Sequence, residues 1–138
     1  MADFLKIWQI IRREIQISIT STPLNTNLSA SIISDADSNA TSEDDVRNGA
    51  TTVYLVDVDN SANAATTYVK LYDNAGPTVG TTAPDIILKV TASTRKVFTL
   101  DMGGIAFTTG LSFASLTAGG TAGSTGPTSD VIVKILCS

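Results

Sequence analysis

Apolar and polar residues alternate along most of the chain after residue 50, with the period of two that is typical of half-buried β-strands. The alternating runs are rich in Val, Ile, Thr, Tyr and Phe, and clusters of Gly, Pro, Asn, Asp and Ser separate them. Short strands in succession indicate an antiparallel sandwich or barrel rather than alternating β and α units. The pattern predicts strands at residues 52–58, 66–72, 85–91, 96–100, 105–109, 111–117 and 129–136.

The same alternation predicts which side chains face the core. Val69 and Leu71 share one face of their strand, whereas Tyr68, Lys70 and Tyr72 share the other. By the same reasoning, the predicted strands at 85–91 and 129–136 place alternate aliphatic residues in the core. Phe107 and Phe113, with Ile105 and Leu111, add the aromatic part of the core. These predicted core residues are Ile86, Leu88, Val90, Ile105, Phe107, Leu111, Phe113, Val131, Val133 and Ile135.

Residues 1–22 follow a different pattern. Apolar residues recur there at spacings of three and four, which indicates one face of a helix, but Ile15, Ile17 and Ile19 then alternate as in a strand. We therefore expect an N-terminal arm that is either a helix passing into a strand or extended throughout. Its apolar face with the surrounding basic residues forms a candidate partner interface, made of Phe4, Lys6, Ile7, Trp8, Ile11, Arg12, Arg13 and Ile15. The first alternative is that the arm covers its own sandwich, and a membrane-surface role ranks behind both because three basic residues are a weak signal for lipid binding.

Residues 23–50 are rich in Asn, Ser, Asp and Thr, and predict an acidic, solvated connector with at most one short strand, at residues 29–34. Seven acidic residues and a single basic one, Arg47, lie between Asp35 and Asp59. The predicted organisation is thus an arm at 1–22, a connector at 23–50 and a β-sandwich domain at 51–138.

Composition narrows the possible functions. The 138 residues include no histidine and one cysteine, so His-dependent nucleophilic catalysis, His-based zinc sites and internal disulfides are excluded. With 9 basic and 13 acidic residues, the chain is also a poor candidate for binding nucleic acid. The sequence contains no stretch long and apolar enough for a membrane-spanning helix, and the N-terminus lacks the features of a signal peptide. We expect a non-enzymatic protein without cofactor or metal, made in the cytosol, that acts through binding or structure.

Three local patterns deserve a chemical interpretation. Asp57, Asp59 and Asn60 offer oxygen ligands for calcium, but the glycine and the distant glutamate of a calcium loop are missing, so a strand end followed by a turn is favoured. Residues 119–126 are glycine-rich, yet no lysine follows as in a phosphate-binding loop. Tyr68 and Tyr72 flank Lys70 on one face, which permits glycan binding without strong support.

The last 37 residues contain only two charged side chains, Asp130 and Lys134, and seven of the ten glycines. Edge strands of monomers are normally protected by charge or proline. The segment therefore indicates either sandwich faces that pack against copies of the same chain, or a long flexible loop rich in Gly and Thr.

Residues 51–136 resemble a family of small virion proteins of tailed bacteriophages. The resemblance lies in VYLVDVDNSANAATTYVKLYDNAGPTVGTTAPDIILKV (53–90), GGIAFTTGLSFA (103–114) and SDVIVKIL (129–136), in their order and spacing. It implies a jelly-roll-like antiparallel β-sandwich that serves as a structural module of the virion, and it implies no catalytic residues. Residues 1–50 lie outside it.

The resemblance and the arm together lead to the expected function. We expect a decoration, or cement, protein on the capsid exterior, synthesised in the cytoplasm of the bacterial host. Its partners would be the major capsid protein and copies of itself, in a homotrimer or another small homo-oligomer. A tail, neck or fibre component is the first alternative, and a receptor- or glycan-binding adhesin is the second.

Overall fold

A computed structural model describes residues 30–100 and 103–138, and every element in these ranges is a β-strand or a loop. The strands reproduce each of the seven that the alternation predicts, with ends shifted by one or two residues, and one strand precedes them. The eight strands are β1 (Ser31–Ser38), β2 (Thr51–Asp59), β3 (Thr67–Asp73), β4 (Ile86–Val90), β5 (Arg95–Thr99), β6 (Ile105–Phe107), β7 (Leu111–Leu116) and β8 (Val131–Cys137). The prediction of an all-β fold is confirmed for these residues.

The larger sheet has five antiparallel strands in the order β1–β8–β2–β5, and β6 also pairs with β2. β5 and β6 occupy the same edge of β2, because Leu55 pairs with Thr99 and Val53 pairs with Ile105. They therefore form one edge of the sheet, interrupted between residues 99 and 105.

The smaller sheet has three antiparallel strands in the order β4–β3–β7. The free edge of β7 is paired with the loop that follows β1. Glu43 and Phe113 exchange both backbone hydrogen bonds, at 2.8 and 3.0 Å, and the Val46 amide donates to the Leu111 carbonyl at 2.9 Å. Residues 39–46 thus extend the smaller sheet, and the chain crosses from one sheet to the other directly after β1.

One hydrophobic core lies between the two sheets, an arrangement consistent with a β-sandwich. The residues of β3, β7 and β8 that alternation assigns to it are fully buried, including Val69, Phe113 and Ile135, and the inward-facing valines of β2 join them. Ile105 is an exception, since it is 36% exposed on the short edge strand β6. An edge position leaves one flank of a side chain without a neighbouring strand, which sequence periodicity does not reveal.

The segment predicted as a connector contributes β1 to the larger sheet. Ser31 pairs with Cys137 and Asp35 pairs with Val133, so β1 runs along the whole of β8. The sequence indicated at most a short strand at residues 29–34, because Asp35, Asp37 and the polar residues between them are typical of turns. Tertiary pairing with β8 overrides that local preference. The division into arm, connector and domain is otherwise still a prediction.

The outer face of the smaller sheet is covered in part by residues 117–128 of the same chain. Lys70 points outward from β3 yet is fully buried, and its Nζ donates to the carbonyls of Gly120 at 2.6 Å and Gly123 at 3.1 Å. A Cβ atom at Gly119 would lie 2.9 Å from the Tyr68 ring, so only glycine lets the backbone approach so closely. The small, uncharged residues near the C-terminus therefore serve packing within the chain, and all six residues of β7 are buried.

Candidate functional site

The residues predicted to form the partner interface lie outside the described part of the chain. These are Phe4, Lys6, Ile7, Trp8, Ile11, Arg12, Arg13 and Ile15. The first described residue, Ala30, leads directly into β1, at one edge of the larger sheet. The described chain therefore begins at an edge strand of the larger sheet.

The outer face of the larger sheet, named the outer face below, consists of registered rows of side chains. The register aligns Ile32, Leu136, Leu55 and Thr99 in one row across the four strands. The other two rows follow by moving two and then four residues along each strand, because alternate residues share a face. The second row contains Ser34, Lys134, Asp57 and Val97, and the third contains Ile132, Asp59 and Arg95.

Much of the outer face is apolar and exposed. Ile32 is 69% exposed, Val97 is 52% exposed and Ile132 is 39% exposed. A hollow of about 190 Å³ opens between Ile32, Leu55, Asp57, Lys134 and Leu136. Isolated exposed apolar residues are ordinary, but Ile32, Leu136 and Leu55 lie side by side on three strands, and apolar residues grouped in this way are typical of a binding surface.

Charged side chains sit within this apolar surface. Arg95 holds Asp57 with two hydrogen bonds, Nε to Oδ1 at 2.9 Å and Nη2 to Oδ2 at 2.5 Å. The hydrogen bond from Arg95, together with the nearby charge of Lys134, lowers the pKa of the Asp57 carboxyl. Hydrogen bonding by the Ser61 side chain lowers the pKa of the Asp59 carboxyl, and the Ser61 amide, which donates to Asp59 Oδ1 at 3.0 Å, lowers it further. Two carboxylates and two cations thus share the face at neutral pH.

The arrangement is suited to binding rather than to bond-making chemistry. Asp57 and Asp59 line a second hollow of about 80 Å³, but the Arg95 guanidinium occupies both oxygens of Asp57. A carboxylate that is ion-paired and has a lowered pKa is a poor general base near neutral pH. What the face offers a partner is apolar area to bury and charges to pair.

The calcium hypothesis for Asp57, Asp59 and Asn60 does not match the geometry. The Asn60 side chain is fully buried and turned into its own turn, where Nδ2 donates to the carbonyls of Ala65 and Thr91, both at 3.0 Å. Its Oδ1 accepts from the Thr67 hydroxyl at 2.8 Å. The three oxygen-bearing residues therefore do not converge on one point, and Asn60 instead joins neighbouring turns.

The glycan hypothesis for Tyr68 and Tyr72 also meets an obstacle. The two rings and Lys70 do lie on one face of β3, but Tyr72 and Lys70 are completely buried, and residues 117–128 cover Lys70. A sugar ring stacks on an exposed aromatic face. This set of residues is therefore structural in the described chain.

An acidic side chain points into the interior near the end of β1. Asp35 shares the inward face with its partner Val133, and among the described residues its Oδ2 is buried without a hydrogen-bond partner. Burial, with a contribution from Glu43 and Asp37, raises the pKa of the Asp35 carboxyl to about 6. An inward-pointing charge is one way in which edge strands avoid unwanted pairing.

We expect Asp35→Asn to stabilise the protein at neutral pH. Because folding raises the pKa from 3.8 to about 6, the wild-type protein gains stability from this group below pH 4 and loses it as the pH rises through 6. Asparagine carries no charge and so avoids this loss. At pH 7.5 we expect the variant to have a free energy of unfolding about 1 kcal/mol higher than wild type, a value reduced because solvent at the strand edge screens the charge. Urea unfolding at pH 4.5 and 7.5 measures the difference. The exposed Asp44→Asn is the control, and an equal gain at both pH values would contradict the prediction.

Within residues 30–100 and 103–138, no helix is long and apolar enough to cross a membrane. In the same ranges no group of three or more acidic, cysteine or histidine side chains is placed to hold a metal ion.

No protein-family model matches the chain, and the searches of curated proteins and of solved structures found no match either. The resemblance to phage virion proteins therefore stays a prediction from the sequence.

Sequence reasoning missed the outer face. Its residues belong to strands that were predicted, but Ile32 lay in the presumed connector, and Ile132 and Leu136 were not assigned to any surface. A signal was present in β8, where apolar residues occupy both faces at Val131, Ile132, Val133, Ile135 and Leu136. A strand that is apolar on both sides is covered on both sides in most sheets.

Proposed function

We propose that the protein is a structural virion protein of a tailed phage that decorates the capsid exterior and cements neighbouring capsomers. What supports the proposal is that residues 31–100 and 103–138 supply both sheets and the core between them. The apolar and basic residues of the N-terminal sequence precede them and are available, in this proposal, as an attachment segment. A self-supporting module with a separate attachment segment is the design that a cement protein needs.

A jelly-roll connectivity is part of this proposal. If β5 and β6 count as one interrupted strand and residues 39–46 as a strand, eight strands are distributed over the two sheets. The order in the larger sheet becomes 1-8-3-6, and the order in the smaller sheet becomes 2-7-4-5. Such interleaving of two Greek keys is characteristic of jelly rolls, which are common among viral capsid proteins. The fold by itself does not specify the function.

The proposed mechanism is mass action. A protein that binds only the assembled lattice lowers the free energy of that lattice and so raises the barrier to disassembly. Each copy bridges adjacent capsomers through its N-terminal residues, with Trp8 as an aromatic anchor and Arg12 and Arg13 as ion-pair donors. Because many copies act around symmetry axes, modest contacts add up to strong attachment.

The number of copies per virion tests this proposal against its alternatives. Decoration predicts on the order of hundreds of copies, whereas a neck, tail or fibre part predicts about six, twelve or eighteen, following the symmetry of those structures. Quantitative mass spectrometry of purified virions gives the ratio to the major capsid protein. A low ratio would favour the tail alternative, and binding to host cells or glycans without binding to empty heads would favour an adhesin.

We expect Trp8→Ala in the full-length chain to weaken attachment to empty heads by about 2 kcal/mol or more, roughly 30-fold. Removing a buried aromatic anchor at an interface takes away both its apolar area and the exclusion of water around it. Co-sedimentation of the variant with heads measures the affinity. Ile87→Ala, which truncates an exposed apolar residue on the smaller sheet, is the control. Equal binding by Trp8→Ala and wild type would show that the N-terminal segment is not the anchor.

A further inference from the structure

We propose that the outer face binds the same face of a second copy of this chain, related by a two-fold axis that runs parallel to the strands between β2 and β8. The inference names the surface for self-association. It depends on the proposed function only in placing the dimer on the capsid.

The register between β2 and β8 makes the face self-complementary. Asp57 pairs with Lys134, and Leu55 pairs with Leu136, directly across the line between the two strands. A two-fold axis along that line turns the face over and exchanges the positions of β2 and β8. Lys134 of each copy then stands over Asp57 of the other, and Leu136 stands over Leu55.

The apolar side chains of the outer face complete this interface. Each copy presents the hollow of about 190 Å³ beside Ile32, Leu55 and Leu136. Face-to-face sheets pack about 10 Å apart with interdigitating side chains, so the leucines near the axis fill the space that the hollows leave. Ile32 and Val97, which are 69% and 52% exposed, lie on the strands that flank this centre and lose contact with water in the dimer.

Charge favours a second copy as the occupant. The chain carries a formal net charge of −4, and its other acidic residues repel a second copy. On the outer face, Asp57 and Asp59 are balanced by Arg95 and Lys134, so two copies meet there without net repulsion. A strongly charged partner would instead require a face whose side chains carry mainly the opposite charge.

The position in the fold also favours a face-to-face contact. The smaller sheet has its outer face covered in part by residues 117–128, as the buried Lys70 and its bonds to Gly120 and Gly123 show. Three of the five large apolar side chains with the greatest exposure in the described ranges, Ile32, Val97 and Ile132, lie on the outer face of the larger sheet. Self-association through this face covers these three side chains.

Charge exchange at the axis tests the inference. Sedimentation equilibrium of the full-length protein is expected to show a dimer, and Lys134→Glu, which sets Glu over Asp57, is expected to weaken it about tenfold or more. The double variant Lys134→Glu with Asp57→Lys restores the opposite signs at the axis but removes the ion pair between Asp57 and Arg95, so we expect it to dimerise more tightly than Lys134→Glu alone and less tightly than wild type. Lys89→Glu makes the same charge change on the exposed face of the smaller sheet, and is expected to leave the dimer unchanged.

A second pair of variants avoids any change in charge. Ile32→Ser is expected to weaken the dimer, while the matched Ile87→Ser, on the other sheet, is expected to leave it unchanged. A wild-type monomer at all concentrations would overturn the inference, as would equal effects of Lys134→Glu and Lys89→Glu. Head binding is measured separately. A dimer that does not bind heads contradicts the proposed function alone, whereas a monomer that binds heads contradicts this inference alone.

Discussion

Replacing Phe113 with alanine is expected to lower the free energy of unfolding by about 3–5 kcal/mol. The Phe113 side chain is fully buried and faces the core beside Leu71, its partner in β3. Truncation removes most of a large apolar side chain and leaves a cavity that the two sheets cannot close, because their spacing is set by the other core residues. Domains of this size are stable by only about 5–15 kcal/mol, so the variant would be close to unfolding at physiological temperature.

Urea unfolding followed by circular dichroism measures this loss. Phe98→Ala is the matched control, because Phe98 lies on the edge strand β5, is only half-buried and has Lys96 Nζ 4.6 Å from its ring centroid. We expect the control to cost less than half as much. Similar losses for the two variants would show that Phe113 does not lie at the centre of the core.

Replacing Asn60 with aspartate is expected to cost about 3–5 kcal/mol at neutral pH, although the two side chains have nearly the same shape. The Asn60 amide donates to the carbonyls of Ala65 and Thr91 and accepts from the Thr67 hydroxyl, all in a fully buried position. Aspartate would place an ionised oxygen against two carbonyl oxygens and leave both without a donor. A buried charge of this kind costs far more than a lost neutral hydrogen bond.

The pH dependence separates this explanation from a simple loss of packing. Burial against carbonyl oxygens raises the pKa of the introduced carboxyl, so the variant recovers stability as the pH falls and the group takes up a proton. Thermal unfolding of the variant at pH 4.5 and 7.5, relative to wild type, measures that recovery. Asn48→Asp, at an exposed position with a φ of 57°, is the control and is expected to change stability little. A loss at Asn60 that does not depend on pH would contradict the explanation.

Asn60 also shows why local sequence could not identify its role. The sequence places it in an Asn-rich turn next to two aspartates, which favours a surface turn over a weak cation site and gives no sign of a buried role. Its neighbour Asn63 forms a second pair of bonds, accepting from the Ser129 amide at 2.8 Å and donating to the Ser129 carbonyl at 2.9 Å. These contacts join residues 66 positions apart, so they depend on where the two turns meet in the folded chain.

The outer face illustrates a similar limit for the binding site. The alternation in β8 correctly places Val131, Val133 and Ile135 in the core. It does not reveal that Lys134 lies beside Asp57, or that Leu136 lies beside Leu55, because the register between β2 and β8 is set by contacts far apart in sequence. The predicted interface at residues 4–15 lies outside the described chain and stays a prediction.

By itself, the sequence determined the strands and most of the core, because both follow from the period-two alternation of apolar residues and from the turn residues between the runs. Only the tertiary structure decided that residues 31–38 form a strand, that the uncharged segment at 117–128 covers its own sheet, and that apolar and paired charged residues share one exposed face. The physical reason is that strand pairing and burial depend on partners distant in the chain. By local preference Asp35 favours a turn and Lys70 favours exposure to solvent, but their distant partners place Asp35 in a strand and Lys70 in a buried position.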